Sequence, residues 1–123
     1  MKFLMSALLL NFSLALAATP PDYSGAWNIR AVADDGGVAE QSVTLTQTVK
    51  NGRVYLSGYG LTGPLRSSIG TVYTVSKDAD ATRTFSAVLK FSGDRMNGTG
   101  QLREAYKTGK TVMTKYKING IRK

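Results

Sequence analysis

The chain has no cysteine and no histidine, a single tryptophan and three prolines. Without cysteine there is neither a disulfide nor a thiol nucleophile. Without histidine the commonest general base and the commonest metal ligand are missing as well. A zinc site of the usual ligand set cannot be assembled from what remains. The eight acidic residues do not fill the gap. Asp34, Asp35, Asp78, Asp80 and Asp94 fall in predicted turns, where aspartate serves local backbone hydrogen bonding. Glu40 and Glu104 stand singly near strand ends. Asp78-Ala79-Asp80 offers two carboxylates, far short of the roughly six to eight oxygens that calcium takes. The glycine pairs in YGLTG and NGTG lack the strand-to-helix setting of a phosphate cradle. The expectation is a protein without catalytic residues, metal or cofactor.

Long apolar runs are also scarce. The one candidate, MKFLMSALLLNFSLALA, carries Lys2 and is broken by Ser6, Asn11 and Ser13, whereas a bilayer-crossing helix needs about 20 apolar residues. With Ala15 and Ala17 in small-x-small spacing it reads as an export leader, residues 1–17, cut after Ala17. No membrane span is expected elsewhere. Residues 18–23 form an extended lead-in around Pro20-Pro21, and residues 24–123 a single domain. Cysteine-free export suggests a bacterial periplasmic or secreted protein. Losing Lys2 with the leader lowers the formal charge of +8 to about +7. Such a field draws acidic partners. For an exported chain these would be an anionic macromolecule or another protein of the envelope or exterior; nucleic acid has the wrong address.

What is present is period two. WNIRA places Trp27, Ile29 and Ala31 on one face, and QSVTLTQTVK places Val43, Leu45 and Val49 on another. Asn51-Gly52 is a hairpin turn, since both positions tolerate positive φ. RVYLSGYG is its partner strand, with Tyr55 and Tyr59 outward. LTGPLRSS reads as a loop, and IGTVYTVS as a strand with Thr71 and Tyr73 inward. TRTFSAVLKF buries Phe85, Ala87, Leu89 and Phe91; RMNGTGQLRE alternates Met96, Gly98, Gly100 and Leu102; TVMTKYKI turns Val112, Thr114, Tyr116 and Ile118 inward. A bulge is expected at Asn119-Gly120. Seven to eight strands with short turns predict an all-β fold, a small up-and-down antiparallel β-barrel, with a β-sandwich as the alternative. Small residues on inward faces and the absence of a long crossing connection favour the barrel.

The triplet Gly25-Ala26-Trp27 opening the first strand of a small exported all-β chain resembles the calycin group, the lipocalins and avidins. The resemblance covers a few residues at each end and the strand rhythm between them. It implies that Trp27 packs across one end of the barrel, with a basic residue of the last strand over its ring. That residue would be Arg122, or else Lys123. Unlike avidins, which use several tryptophans at their ligand site, this chain has one.

Two constellations bear on function. Gln47, Tyr73, Thr114 and Tyr116 are polar residues expected on inward faces, where they either satisfy one another in a solid core or orient a small ligand in a barrel mouth. Lys90, Arg95, Arg103, Lys115 and Lys117 fall on the outward register of the last three strands and would form a basic face. The leading expectation is a non-catalytic, lipocalin-like binding module that meets an anionic partner through that face. The alternatives are a small-ligand carrier and a secreted protease inhibitor acting through residues 18–23.

Overall fold

The computed structural model describes residues 21–123. The expected leader, and the lead-in before Pro21, lie outside the described residues. Eight strands follow one another: β1 (Gly25–Ala33), β2 (Val38–Lys50), β3 (Arg53–Gly58), β4 (Leu61–Arg66), β5 (Ile69–Lys77), β6 (Ala81–Ser92), β7 (Arg95–Tyr106) and β8 (Thr111–Arg122). Each pairs antiparallel with the next, and β1 pairs with β8, so the sheet closes into an up-and-down barrel. This closed eight-stranded architecture is consistent with a calycin-like barrel at the level of fold, and it rules out the sandwich. Among the described residues no helix is long and apolar enough to cross a membrane.

Turn chemistry sets the order. Asn51 and Gly52 both have positive φ (53° and 76°), as a tight hairpin turn requires. The pairs Tyr59-Gly60 and Ser67-Ser68 adopt the same left-handed conformation, although only the first contains a glycine. Ser68 is held there from two sides. Its carbonyl accepts the Phe91 N–H (2.8 Å), and its hydroxyl meets the Tyr23 hydroxyl (2.7 Å).

Three expectations are corrected. LTGPLRSS is not a loop: residues 61–66 form β4. A Cβ on Gly63 would lie 1.7 Å from the Thr71 carbonyl oxygen, so only glycine lets β4 approach β5 this closely. Pro64 supplies no N–H, and the β4–β5 ladder lapses between Thr62↔Tyr73 and Leu65↔Gly70 without losing register. Second, β5 has the opposite phase. Gly70 and Val72 are buried and Thr74 faces in, while Thr71 and Tyr73 point outward. Third, no bulge occurs at Asn119-Gly120, because β8 keeps one register with β7 and with β1 throughout. Val49 shares the parity of Val43 and Leu45 but stands beyond the barrel rim, 67% exposed.

One end of the barrel is sealed by aromatic packing. Trp27 is fully buried, lies edge-on to Phe91 at 5.3 Å, and donates its indole N–H to the Tyr23 carbonyl (2.9 Å). Tyr23 stacks on Phe91 from outside at 4.6 Å. The Arg122 guanidinium lies 5.3 Å from the indole centroid and donates to the carbonyls of Asp22 (2.8 Å) and Ser24 (3.1 Å) and to the Asp94 carboxylate (2.8 Å). First and last strands are thus fastened to the lead-in at a single point.

Candidate functional site

The opposite end is open. Turns 34–37, 59–60, 78–80 and 107–110 ring it, and inside them lies a cavity of about 410 Å³. Its wall is almost wholly hydrocarbon: Ile29, Leu56, Leu61, Val72, Phe85 and Ile118 dominate. Its polar side chains, Gln41, Thr74 and Tyr116 among them, are uncharged, and among the described residues no charged one lines it. The interior is therefore not filled solid. The reason is geometric. Ala31, Ala39, Gly58 and Ala87 line the space with little or no side chain, where larger ones would narrow it. Ala39 and Gln41 face the cavity yet remain exposed, so it communicates with solvent beside β2.

Of the four polar residues expected to meet a ligand, only Tyr116 lines the cavity, with its ring edge-on to Phe85 at 5.8 Å. Thr114 faces inward on β8, opposite Leu102, but lies outside the cavity wall. Tyr73 is 57% exposed on the outer surface, so the expectation that it lines the interior is corrected by the phase of β5. Gln47 is occupied elsewhere. Its side-chain oxygen accepts the Tyr23 N–H (2.9 Å), its amide group donates to the Pro21 carbonyl (2.8 Å), and its backbone N–H donates to the Ser24 hydroxyl (2.8 Å). It pins the lead-in at the sealed end. Gln41 and Thr74 are the cavity residues that the sequence reading missed. Gln41 shares the inward parity of Val43 and could have been found; Thr74 was hidden by the phase of β5.

The five basic residues Lys90, Arg95, Arg103, Lys115 and Lys117 are all exposed and outward. They are not one cluster. Arg95 begins β7 near the sealed end and Arg103 lies eight residues along it, a separation of roughly 26 Å at strand rise. Arg103, Lys115 and Lys117 form the denser part, since Lys117 pairs with Thr99, Lys115 with Gln101, and Arg103 with Met113.

Glu104 is not isolated, contrary to expectation. At the open end Arg83 turns inward, donates to Glu104 (2.8 Å) and pairs with Asp78, and the Tyr106 hydroxyl donates to the same Glu104 oxygen (3.3 Å). The Asp78 carboxyl also accepts the backbone N–H groups of Asp80 (2.8 Å) and Ala81 (2.9 Å). Those two N–H groups, and then Arg83, hold Asp78 below the usual carboxylate range. Arg83 thus ties together Asp78 and Glu104, the latter also held by Tyr106. No group of three or more potential metal-binding side chains occurs among the described residues. Comparison of the chain with protein-family models, with curated proteins and with solved structures finds no match.

Proposed function

We propose that this protein is an exported, non-catalytic, lipocalin-like module whose barrel interior receives a compact, uncharged, largely apolar ligand. The observation that carries this reading is the cavity of about 410 Å³ with its hydrocarbon wall. That volume falls within the roughly 300–1,000 Å³ of small-molecule sites, which are typically apolar with a few orienting polar groups. Gln41, Thr74 and Tyr116 would supply those groups. A charged ligand is disfavoured, because an ion moved into such a wall would have no partner. Burial of apolar surface would supply the affinity, at about 25 cal/mol per Å² before the costs of association.

The outward placement of Arg103, Lys115 and Lys117 keeps a second reading in view, that of an anionic partner meeting the outer surface. As for inhibition through the lead-in, Tyr23 is buried and Pro21 is bonded to Gln47, so these residues are committed to the barrel. Titration with the neutral dye N-phenylnaphthylamine and, in parallel, with an anionic polymer such as heparin, each at low and high salt, separates the two main readings. An interior site gives saturable binding that is unchanged between about 50 and 500 mM salt, whereas contact with an anionic polymer on the outer surface weakens steeply as charge is screened. Absence of saturable dye binding would count against the interior site.

A further inference from the structure

The barrel wall is uneven in height. β3 and β4 have six residues each, against nine to thirteen in the other strands. β2 pairs with β3 only from Thr46 to Lys50, and β5 pairs with β4 only as far as Tyr73. Towards the open end the short hairpin stops, leaving a notch two strands wide between the first half of β2 and the last residues of β5. The cavity reaches this notch at Ala39, Gln41 and Tyr59.

The strand edges that border the notch have backbone groups without strand partners. The Lys123 N–H donates to the Ala26 carbonyl (2.8 Å), so Ala26 faces β8, and its partner Thr44 turns its backbone polar groups away from β1. Alternation extends this to Ser42, Glu40 and Val38. On the other flank the Asp78 N–H donates to the Ala81 carbonyl (3.0 Å), which assigns even-numbered β5 residues to β6 and leaves Val75 and Lys77 facing the notch. Among the described residues none of these six has a ladder partner on that side. Exposed edges are normally guarded by lysine, proline or a bulge. From Val38 to Leu45, β2 has none of these: its register with β1 is unbroken, and its one charge, Glu40, lies 3.4 Å from Arg30.

We propose that the notch is a strand-addition site, at which an extended acidic segment of another protein pairs with β2 through the backbone of Glu40 and Ser42. Alternate side chains of an added strand face the barrel interior, so an apolar one enters the cavity. This part rests on the reading of the interior as a site for apolar groups, and it names the form in which such a group arrives. The chain's formal charge, about +7 once Lys2 is lost with the leader, selects the occupant: a second copy would be repelled, and an acidic segment attracted.

The probe is a blocked hexapeptide of alternating threonine and leucine flanked by glutamates, added to the mature protein and followed by amide hydrogen exchange. Exchange at Glu40 and Ser42 slows, while Ala39 and Gln41, whose amides already face β1, do not change. The same peptide N-methylated at alternate residues keeps its side chains and binds about tenfold more weakly or worse. Ser42→Pro removes one donor that faces the notch without touching the β1 ladder; this variant folds, keeps N-phenylnaphthylamine binding and loses the peptide. Equal affinity for the N-methylated peptide, an unaffected Ser42→Pro, or no slowing at about millimolar peptide overturns the site. A concentration-dependent dimer protecting the same amides overturns the occupant in favour of a second copy. Absence of dye binding with Glu40 and Ser42 still protected refutes the apolar interior alone and leaves the strand-addition site standing.

Discussion

Arg122→Met tests whether the terminal cation holds the sealed end together. Methionine keeps an apolar stem beside the indole and deletes only the guanidinium. Three contributions go with it. The cation over the Trp27 ring contributes about 0.5–2 kcal/mol, towards the upper part of that range because the indole is fully buried. Each hydrogen bond to the Asp22 and Ser24 carbonyls contributes about 1 kcal/mol. The pair with Asp94 adds about 0–1 kcal/mol, since that carboxylate is largely exposed. Allowing for overlap, the loss is about 2–3 kcal/mol, a large part of the 5–15 kcal/mol that typically holds a domain together. A domain of this size then melts roughly 10–20 °C lower. The assay is urea unfolding followed by the fluorescence of the single tryptophan, with Asp94→Asn as the control that removes the surface pair alone. An Arg122→Met protein within about 0.5 kcal/mol of the parent would refute the assignment.

Three further outcomes are expected. Gln47→Leu lowers stability by about 1–3 kcal/mol, because the lead-in loses both side-chain hydrogen bonds, yet leaves dye affinity unchanged; an altered affinity would place Gln47 at the ligand site after all. Gly63→Ala forces a methyl group against the Thr71 carbonyl and costs about 3 kcal/mol or more, read as a shift of the urea midpoint, and a neutral effect would mean that β4 and β5 are not this close. Asp78→Asn is less stable than the parent at neutral pH. The folded-state pKa of Asp78 lies below its unfolded value, so its contribution is present above the unfolded pKa and is lost as pH falls through the folded one. The gap between the two proteins therefore closes on acidification below about pH 4, and a gap constant down to pH 2 would contradict the pairing.

Much of the barrel could be read from residue order. Strict alternation in β1, β2, β6, β7 and β8 gave their inward faces, and Asn51-Gly52 gave a turn. Trp27 near one end of the chain and Arg122 near the other pointed to where the ring closes. The failures have physical causes. In β4, Gly63-Pro64 has turn composition, but the glycine serves close strand approach and the proline occupies a lapse in the ladder. In β5 the larger apolar residues Ile69, Tyr73 and Val75 point to solvent, so pattern alone selected the wrong face. Gln47 lies on the inward parity, but the lead-in that it binds is not visible in a strand-by-strand reading. The cavity depends on how small residues from several strands meet at one level, and the notch on the relative lengths of β3 and β4; neither is a property of any single segment.

The central claim is that a ring of eight strands encloses a usable apolar space, and methyl-resolved NMR during titration with N-phenylnaphthylamine tests it most directly. Methyl signals of Ile29, Leu56, Leu61, Val72 and Ile118, all lining the cavity, shift saturably, while those of the exposed Val75, Val88 and Ile121 stay in place. Shifts confined to the exposed set, with the interior methyls unmoved, would contradict it.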